Sequence, residues 1–275
     1  MRLATIRTPS GTRAVRLDAE CAVETGHSDV GVLLANPDWR DTASRASGAS
    51  HELADLDYAP VVPRPGKVIC VGVNYKAHIK EMGRETPSHP TLFAKYAEAL
   101  IGANDDIVIP SISDAVDWEA ELAVIVGSPL RNVDAQGAEE GIAGYSVLND
   151  VSMRDWQFRT LQWLQGKTFE GSTPFGPALV TADEAGFGSD LACYVDDEIV
   201  QSAVTSDMVF GPVEALSYIS QFITLKPGDV VSLGTPGGVG HARKPPRYLQ
   251  PGQTLRTVID GIGECRNLCV KEASS

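Results

Sequence analysis

The 275-residue chain has no apolar run approaching the roughly 20 residues of a membrane-spanning helix, and no cluster of Lys or Arg. Its first residues, Met1-Arg2-Leu3-Ala4-Thr5-Ile6-Arg7, lack the continuous apolar core of a secretory signal. These absences predict a cytoplasmic protein. The 23 basic residues stand against 36 acidic ones, a formal net charge of -13, which argues against a nucleic-acid or anionic-membrane surface. Cysteine is sparse and odd in number: Cys21, Cys70, Cys193, Cys265 and Cys269 include no Cys-x-x-Cys pair, so neither a disulfide framework nor a zinc knuckle is signalled. Buried free thiols are the expectation, including Cys265 and Cys269 in a strand-like tail. There is no internal repeat, no low-complexity tract and no regular strand-helix alternation, which excludes solenoids and a doubly wound sheet.

What is present is an ordinary globular composition, 43% hydrophobic and 21% charged, enough for one main domain with an appendage. Residues 1–60 read as a small β-rich N-terminal domain with a helical run at 30–34. Pro60, Pro63, Pro65 and Gly66 then favour extended chain and mark a boundary, so the main domain is placed at 67–271. Within it, 67–72 reads as a buried strand, followed by Asn74 as a helix cap and a short helix to Gly83. A helix is predicted over 154–165, a hairpin over 191–204 turning at Asp196-Asp197, and a strand over 228–233. Strands outnumber helices, so the fold class is a mixed, β-rich α+β fold.

The most informative stretch is Asp117-Trp118-Glu119-Ala120-Glu121-Leu122-Ala123-Val124-Ile125-Val126-Gly127. Strand side chains alternate faces, so Glu119 and Glu121 point the same way at the start of a buried run. Two adjacent carboxylates out of water repel and lose hydration unless something positive lies between them. The next strand-like run ends on Asp150, and three carboxylates form a hard-oxygen set for Mg²⁺ or Mn²⁺, with Ca²⁺ as a further candidate. The competing interpretation, an exposed strand face with solvated acids, loses ground to the surrounding residues.

His78 and Glu81 lie three apart on the short helix, hence on one face, where a carboxylate can orient an imidazole as a base for water. Taken alone, such a pair is more often a surface ion pair. The glycines flanking that helix suggest a mobile lid. Asp150, Arg154 and Gln157 fall on one helical stripe facing a common cavity. Arg154 suits either a substrate carboxylate or neutralisation of the acids, and Lys167 is positioned to bring an ammonium near the metal. The loop Gly234-Thr235-Pro236-Gly237-Gly238-Val239-Gly240 lacks the Gly-Lys-Ser/Thr ending of a P-loop, so its N–H groups and the Thr235 hydroxyl are assigned to a small oxyanion or carboxylate.

Six ordered motifs make the chain similar to the fumarylacetoacetate hydrolase family. They are Val-Gly-x-Asn-Tyr-x-x-His-x-x-Glu at 71–81, Leu92-Phe93-Ala94-Lys95, Glu119-x-Glu121, Asn149-Asp150-Val151-Ser152-x-Arg154-Asp155-x-Gln157, Gly166-Lys167-Thr168-Phe169 with Pro174-Phe175-Gly176-Pro177, and Gly228-Asp229-Val230 leading to the glycine-rich loop. The resemblance implies a rolled mixed β-sheet, a homodimer, and a divalent metal on Glu119, Glu121 and Asp150. It also implies a His78–Glu81 catalytic dyad, with Lys167, Gln157, Arg154 and Thr235 around a small keto-acid substrate. The chain departs from many keto-acid members in carrying Val73 where they have Arg. It is also rich in aromatics near the site, with Trp156, Phe158, Trp163 and Phe169; core packing explains most such residues, and a larger or less polar acyl tail is the alternative.

The activity expected from this resemblance is metal-dependent hydrolysis of a carbon-carbon bond in an acylpyruvate or related 1,3-diketo acid, with Lys167 and the metal stabilising the enolate. The alternative on the same site is a decarboxylase or isomerase of 2-oxo or 2-hydroxydienoate diacids. A third reading is a catalytically silent metal-binding protein.

Overall fold

The computed structural model describes residues 1–81 and 85–273, without the side chains of His78, Lys80 and Glu81. Strands β1 (Arg2–Thr8) and β2 (Gly11–Leu17) form an in-register hairpin, from Arg2 opposite Leu17 to Thr8 opposite Gly11. Then come β3 (Cys21–Glu24), helices α1 (Val30–Leu34) and α2 (Trp39–Ser44), and short strands β4 (Ser50–Glu52) and β5 (Asp57–Tyr58). Helix α1 occupies the predicted 30–34 run and is capped by the Asp29 carboxylate, which accepts from the Val32 N–H.

Beyond the proline cluster follow β6 (Val68–Gly72), α3 (Lys76–Glu81), β7 (Thr91–Lys95), β8 (Leu100–Ile101), β9 (Ile107–Ile109) and β10 (Val116–Asp117). The centre of the chain supplies β11 (Ala120–Val126), α4 (Ala135–Glu140), β12 (Ile142–Asn149), β13 (Ser152–Met153), α5 (Arg154–Gln157), α6 (Leu164–Lys167) and β14 (Thr173–Thr181). The last third contains β15 (Asp190–Val195), β16 (Glu198–Val204), α7 (Pro212–Ser220), β17 (Val230–Ser232), β18 (Thr254–Ile259) and β19 (Gly263–Lys271). The β15–β16 hairpin turns at Asp196 and Asp197, as expected.

A 12-stranded mixed sheet runs in the order β4-β3-β2-β1-β14-β12-β11-β17-β6-β7, with β5 on β1 and β8 on β14. The N-terminal strands are continuous with this sheet through the β1–β14 pairing. A five-stranded sheet, β16-β15-β18-β19-β9, packs against it. Strand β11 is buried on both faces. Leu122, Val124 and Val126 join one core with Leu191, Cys193 and Leu255 of the second sheet. Ala123 and Ile125 join another with Leu33, Leu34 and Phe175. This double burial explains the uninterrupted apolar run that follows Glu121. Cys70, Cys193, Cys265 and Cys269 are buried free thiols, and Cys21 is half-buried.

Two local expectations are corrected. The predicted 154–165 helix is two short helices, α5 and α6, joined by a turn in which Thr160 bonds back to Gln162. A continuous helix rises about 1.5 Å per residue and would carry Lys167 roughly 20 Å from Arg154. Here both side chains reach Glu119. The return is tight: a Cβ on Gly166 would lie 2.4 Å from the Gln157 nitrogen, so only glycine fits. Asn74 does not cap α3. Its amide donates to the Phe210 and Leu233 carbonyls and accepts from the Phe210 N–H, bracing two distant segments. The carboxylate that meets the first turn of α3 is Asp207, 3.0 Å from the Ala77 nitrogen.

Candidate active site

Glu119 precedes β11, Glu121 is its second residue, and Asp150 immediately follows β12, which pairs with β11. The Asp150 N–H donates to the Glu119 carbonyl, and the Asn149 side chain accepts the Glu119 N–H, so the two strand ends are locked together. Glu119, Glu121 and Asp150 are all buried, and each offers a carboxylate oxygen within 4.8 Å of the others. Sequence alternation brought the two glutamates to one face, and strand pairing adds the aspartate.

Among the described residues, three cations surround the triad. Lys167 Nζ lies 2.5 Å from Glu119 Oε2 and 2.8 Å from Asp150 Oδ2. Lys95 Nζ lies 2.6 Å from Asp150 Oδ1. Arg154 reaches Glu119 at 2.7 Å, Asp117 at 2.8 Å and the Gln157 side-chain oxygen at 2.8 Å. Burial alone would lower the pKa of the Lys167 ammonium, but Asp150 and Glu119 outweigh it, so the group is held above the ordinary lysine range. Burial likewise opposes the Asp150 carboxylate, and Lys167 with Lys95 outweighs it, leaving its pKa lowered. Arg154 is raised by Glu119 and Asp117 against its own burial.

Glu121 is the exception. Among the described residues it has no cationic partner. Its Oε2 accepts from the Ser232 hydroxyl and, at 2.8 Å, from the Gly234 N–H. Burial, then Asp150 and Glu119, push its carboxyl up to about 8, against the pull of Lys167 and Ser232. An all-oxygen anionic set with one uncompensated carboxylate fits a hard divalent cation. Glu119, Glu121 and Asp150 are the residues that could hold it.

Glu119 and Glu121 of the triad open into a cavity of about 180 Å³, lined among others by Val73, Phe93, Arg154, Gln157, Trp163, Lys167, Thr235 and His241. This is smaller than the roughly 300–1,000 Å³ pockets of drug-sized ligands and suits a compound of a few carbons. Arg154, Gln157, Lys167 and Thr235 are thus brought together with the triad. Arg154 is engaged by Asp117 and Glu119, the neutralising role weighed for it from sequence. Of the four aromatics singled out, Phe158 and Trp163 line the cavity, whereas Trp156 and Phe169 pack edge to face on each other. His78 and Glu81 lie on α3, but their side chains are outside the described residues, as is Gly83.

Val73 lines the cavity with φ of 56°, a left-handed conformation that a β-branched residue rarely adopts. Sequence reasoning missed several contributors. Asp117 continues the alternating acidic series by one more step, which was a legible signal. It accepts from the N–H groups of Gly240 and His241 and from Arg154, tying the glycine-rich loop to the triad. Lys95 sat in a recognised motif without a role. His241 lines the cavity with its pKa lowered by burial and by Arg154, hence neutral at pH 7. Gln201 had no sequence signal at all.

Residues 67–270 match the family described as fumarylacetoacetate (FAA) hydrolase, C-terminal. The chain is 43% identical over 221 residues to the human mitochondrial oxaloacetate tautomerase FAHD2A, covering 79% of this chain and 70% of that protein. Among solved structures, it superposes on fumarylacetoacetate hydrolase from Exiguobacterium antarcticum with a TM-score of 0.89 at 31% identity, covering 99% of this chain and 100% of that one. It also superposes on maleylpyruvate hydrolase from Sphingobium sp. SYK-6, a complex with manganese(II) and pyruvate. That TM-score is 0.83 at 28% identity, again covering 99% and 100%.

Proposed function

Because the chain belongs to the fumarylacetoacetate hydrolase family, whose enzymes share this fold, we propose that it interconverts the enol and keto forms of a small 2-oxo dicarboxylate of the oxaloacetate type. The observation that carries this reading is the Lys167 ammonium held charged between Glu119 and Asp150 at the wall of a small cavity. A permanently charged donor there stabilises negative charge developing on a substrate oxygen, the common requirement of enolate chemistry. The choice of tautomerisation within that chemistry follows the 43% identity to the human tautomerase.

Bound at Glu119, Glu121 and Asp150, a divalent cation, with Mn²⁺ or Mg²⁺ preferred, would supply Lewis-acid polarisation of the 2-oxo acid group. Lys167 holds its proton at Nζ and places positive charge beside the enolate oxygen. Arg154 holds Glu119 in place, and the Gly234 N–H fixes Glu121. Ketonisation takes a proton from the enol oxygen and delivers one to the far carbon of the enol double bond, the carbon next to the new carbonyl. Neutral His241 can exchange that proton with solvent, and His78 is the sequence-derived second candidate.

Carbon-carbon hydrolysis is the second reading, favoured by the similarity to maleylpyruvate hydrolase and by the His78 and Glu81 pair. The separating experiment incubates the Mn²⁺-loaded protein with the enol of oxaloacetate and with a panel of acylpyruvates, following enol absorbance and released pyruvate. The tautomerase reading expects accelerated enol loss without carbon-carbon cleavage. Turnover of acylpyruvates alone would replace it by the hydrolase reading. In that case His78→Ala should reduce hydrolysis by the roughly 10²- to 10⁴-fold of a lost general base.

A further inference from the structure

Gln201 lies on β16, in the second sheet, and its side chain is 2% exposed. Its carboxamide meets three groups of the main sheet and the glycine-rich loop. Oε1 accepts from the Ala120 N–H at 3.0 Å. Nε2 donates to the Pro236 carbonyl at 2.9 Å and to the Thr235 hydroxyl oxygen at 2.8 Å. The two backbone partners fix the amide without ambiguity, because an N–H can only donate and a carbonyl can only accept. A flipped amide would set oxygen against oxygen at Pro236 and nitrogen against N–H at Ala120.

The consequence falls on Thr235. Its oxygen accepts a hydrogen bond from the Gln201 amide, so its own hydrogen is directed elsewhere, and among the described residues no protein acceptor takes it. Thr235 lines the cavity. The loop that carries it is seated closely on β16: a Cβ on Gly238 would lie 2.2 Å from the Val200 carbonyl oxygen, and Trp118 Nε1 donates to the Gly238 carbonyl at 3.2 Å. The loop backbone is thus held against the strand that carries the Gln201 amide.

We propose that Gln201 is a positioning residue that makes the Thr235 hydroxyl an obligate hydrogen-bond donor to an anionic oxygen of the bound 2-oxo acid. The inference rests on the reading of the cavity as a 2-oxo acid site. Gln201 touches no substrate; it acts by setting the direction of another residue's proton.

The test is calorimetric binding of pyruvate to the Mn²⁺-loaded full chain, with Mn²⁺ affinity and thermal midpoint measured on each variant as controls. Gln201→Met removes the donor and should weaken pyruvate several-fold. Gln201→Glu, once ionised, accepts a hydrogen bond from the Thr235 hydroxyl and turns the donor away from the cavity. It should weaken binding roughly ten- to a hundredfold, the range for one hydrogen bond to a charged group. Thr235→Val should match that loss and Thr235→Ser should retain affinity. In the Thr235→Val background neither Gln201 substitution should weaken binding further, the non-additivity expected of residues acting through one contact. Mn²⁺ affinity should stay unchanged throughout. Should Gln201→Glu fail to fold, Gln201→Met with the Thr235 pair still decides the matter. Unchanged pyruvate affinity in the Gln201 variants, or equal losses in the Thr235→Val background, would overturn the positioning role alone. A wild-type protein with no affinity for pyruvate would overturn both this inference and the reading beneath it.

Discussion

Glu121 shows how a single buried group states its requirement through its surroundings. Glu119 and Asp150 each have cations against them, while Glu121 has a hydroxyl and a backbone N–H, and its carboxyl rises to about 8 in the metal-free protein. A cation binds the carboxylate form, so metal uptake below pH 8 should release a proton, and affinity should climb with pH and level off above 8. Calorimetry in buffers of different ionisation enthalpy reads that proton directly. Glu121→Gln keeps the shape and removes the charge. It should weaken Mn²⁺ binding by more than the roughly 10- to 100-fold cost of losing a mere supporting partner, with little change in thermal midpoint. Lys95 is the opposite case, a fully buried ammonium 2.6 Å from Asp150. Lys95→Met strands part of a buried charge and should cost the metal-free protein about 3–5 kcal/mol in denaturant unfolding, with partial recovery when Mn²⁺ is added.

At the scale of elements, the strands were legible because alternation and double burial leave a plain mark: Glu119-x-Glu121 entering an apolar run favoured a buried strand beside compensating charge over an exposed face with solvated acids. The 191–204 hairpin announced itself through Asp196-Asp197. What sequence did not show are returns and long-range partners. The helical stripe of Asp150, Arg154 and Gln157 was right only in part: Arg154 and Gln157 share α5 and the cavity wall, whereas Asp150 sits at the end of β12, with β13 between, and is not part of the helix. Nothing in 158–165 told that the helix stops and doubles back to bring Lys167 to the same acids. Asn74 looked like a helix cap because caps are usually local; the carboxylate serving α3 comes from Asp207, and Asn74 braces Phe210 and Leu233. Gln201 is unreadable for the same reason, since its three partners lie on other elements. The return predicts a sharp sensitivity: Gly166→Ala forces a Cβ to within 2.4 Å of the Gln157 nitrogen. It should destabilise the protein by about 1–3 kcal/mol, and it should lower activity further than stability alone explains, because Lys167 moves with α6. Unfolding midpoint and turnover measured on the same preparation check this.

For the whole molecule, the twelve-stranded sheet gathers the triad from two adjacent strand ends, while the smaller sheet reaches across through Gln201 to fix the loop above it. The N-terminal strands extend that sheet through β1 and β14, although the family match begins at residue 67, just past the proline cluster. We further propose a homodimer, on the strength of the family resemblance, and light scattering at micromolar concentration should give twice the 29.3 kDa chain mass. The measurement that bears most directly on the account is the rate of oxaloacetate enol loss before chelation, after exhaustive chelation and after readdition of Mn²⁺. The rate should collapse to the uncatalysed value on chelation, return with Mn²⁺, and fail to return in Glu121→Gln. Full activity in the chelated protein would contradict metal-dependent catalysis.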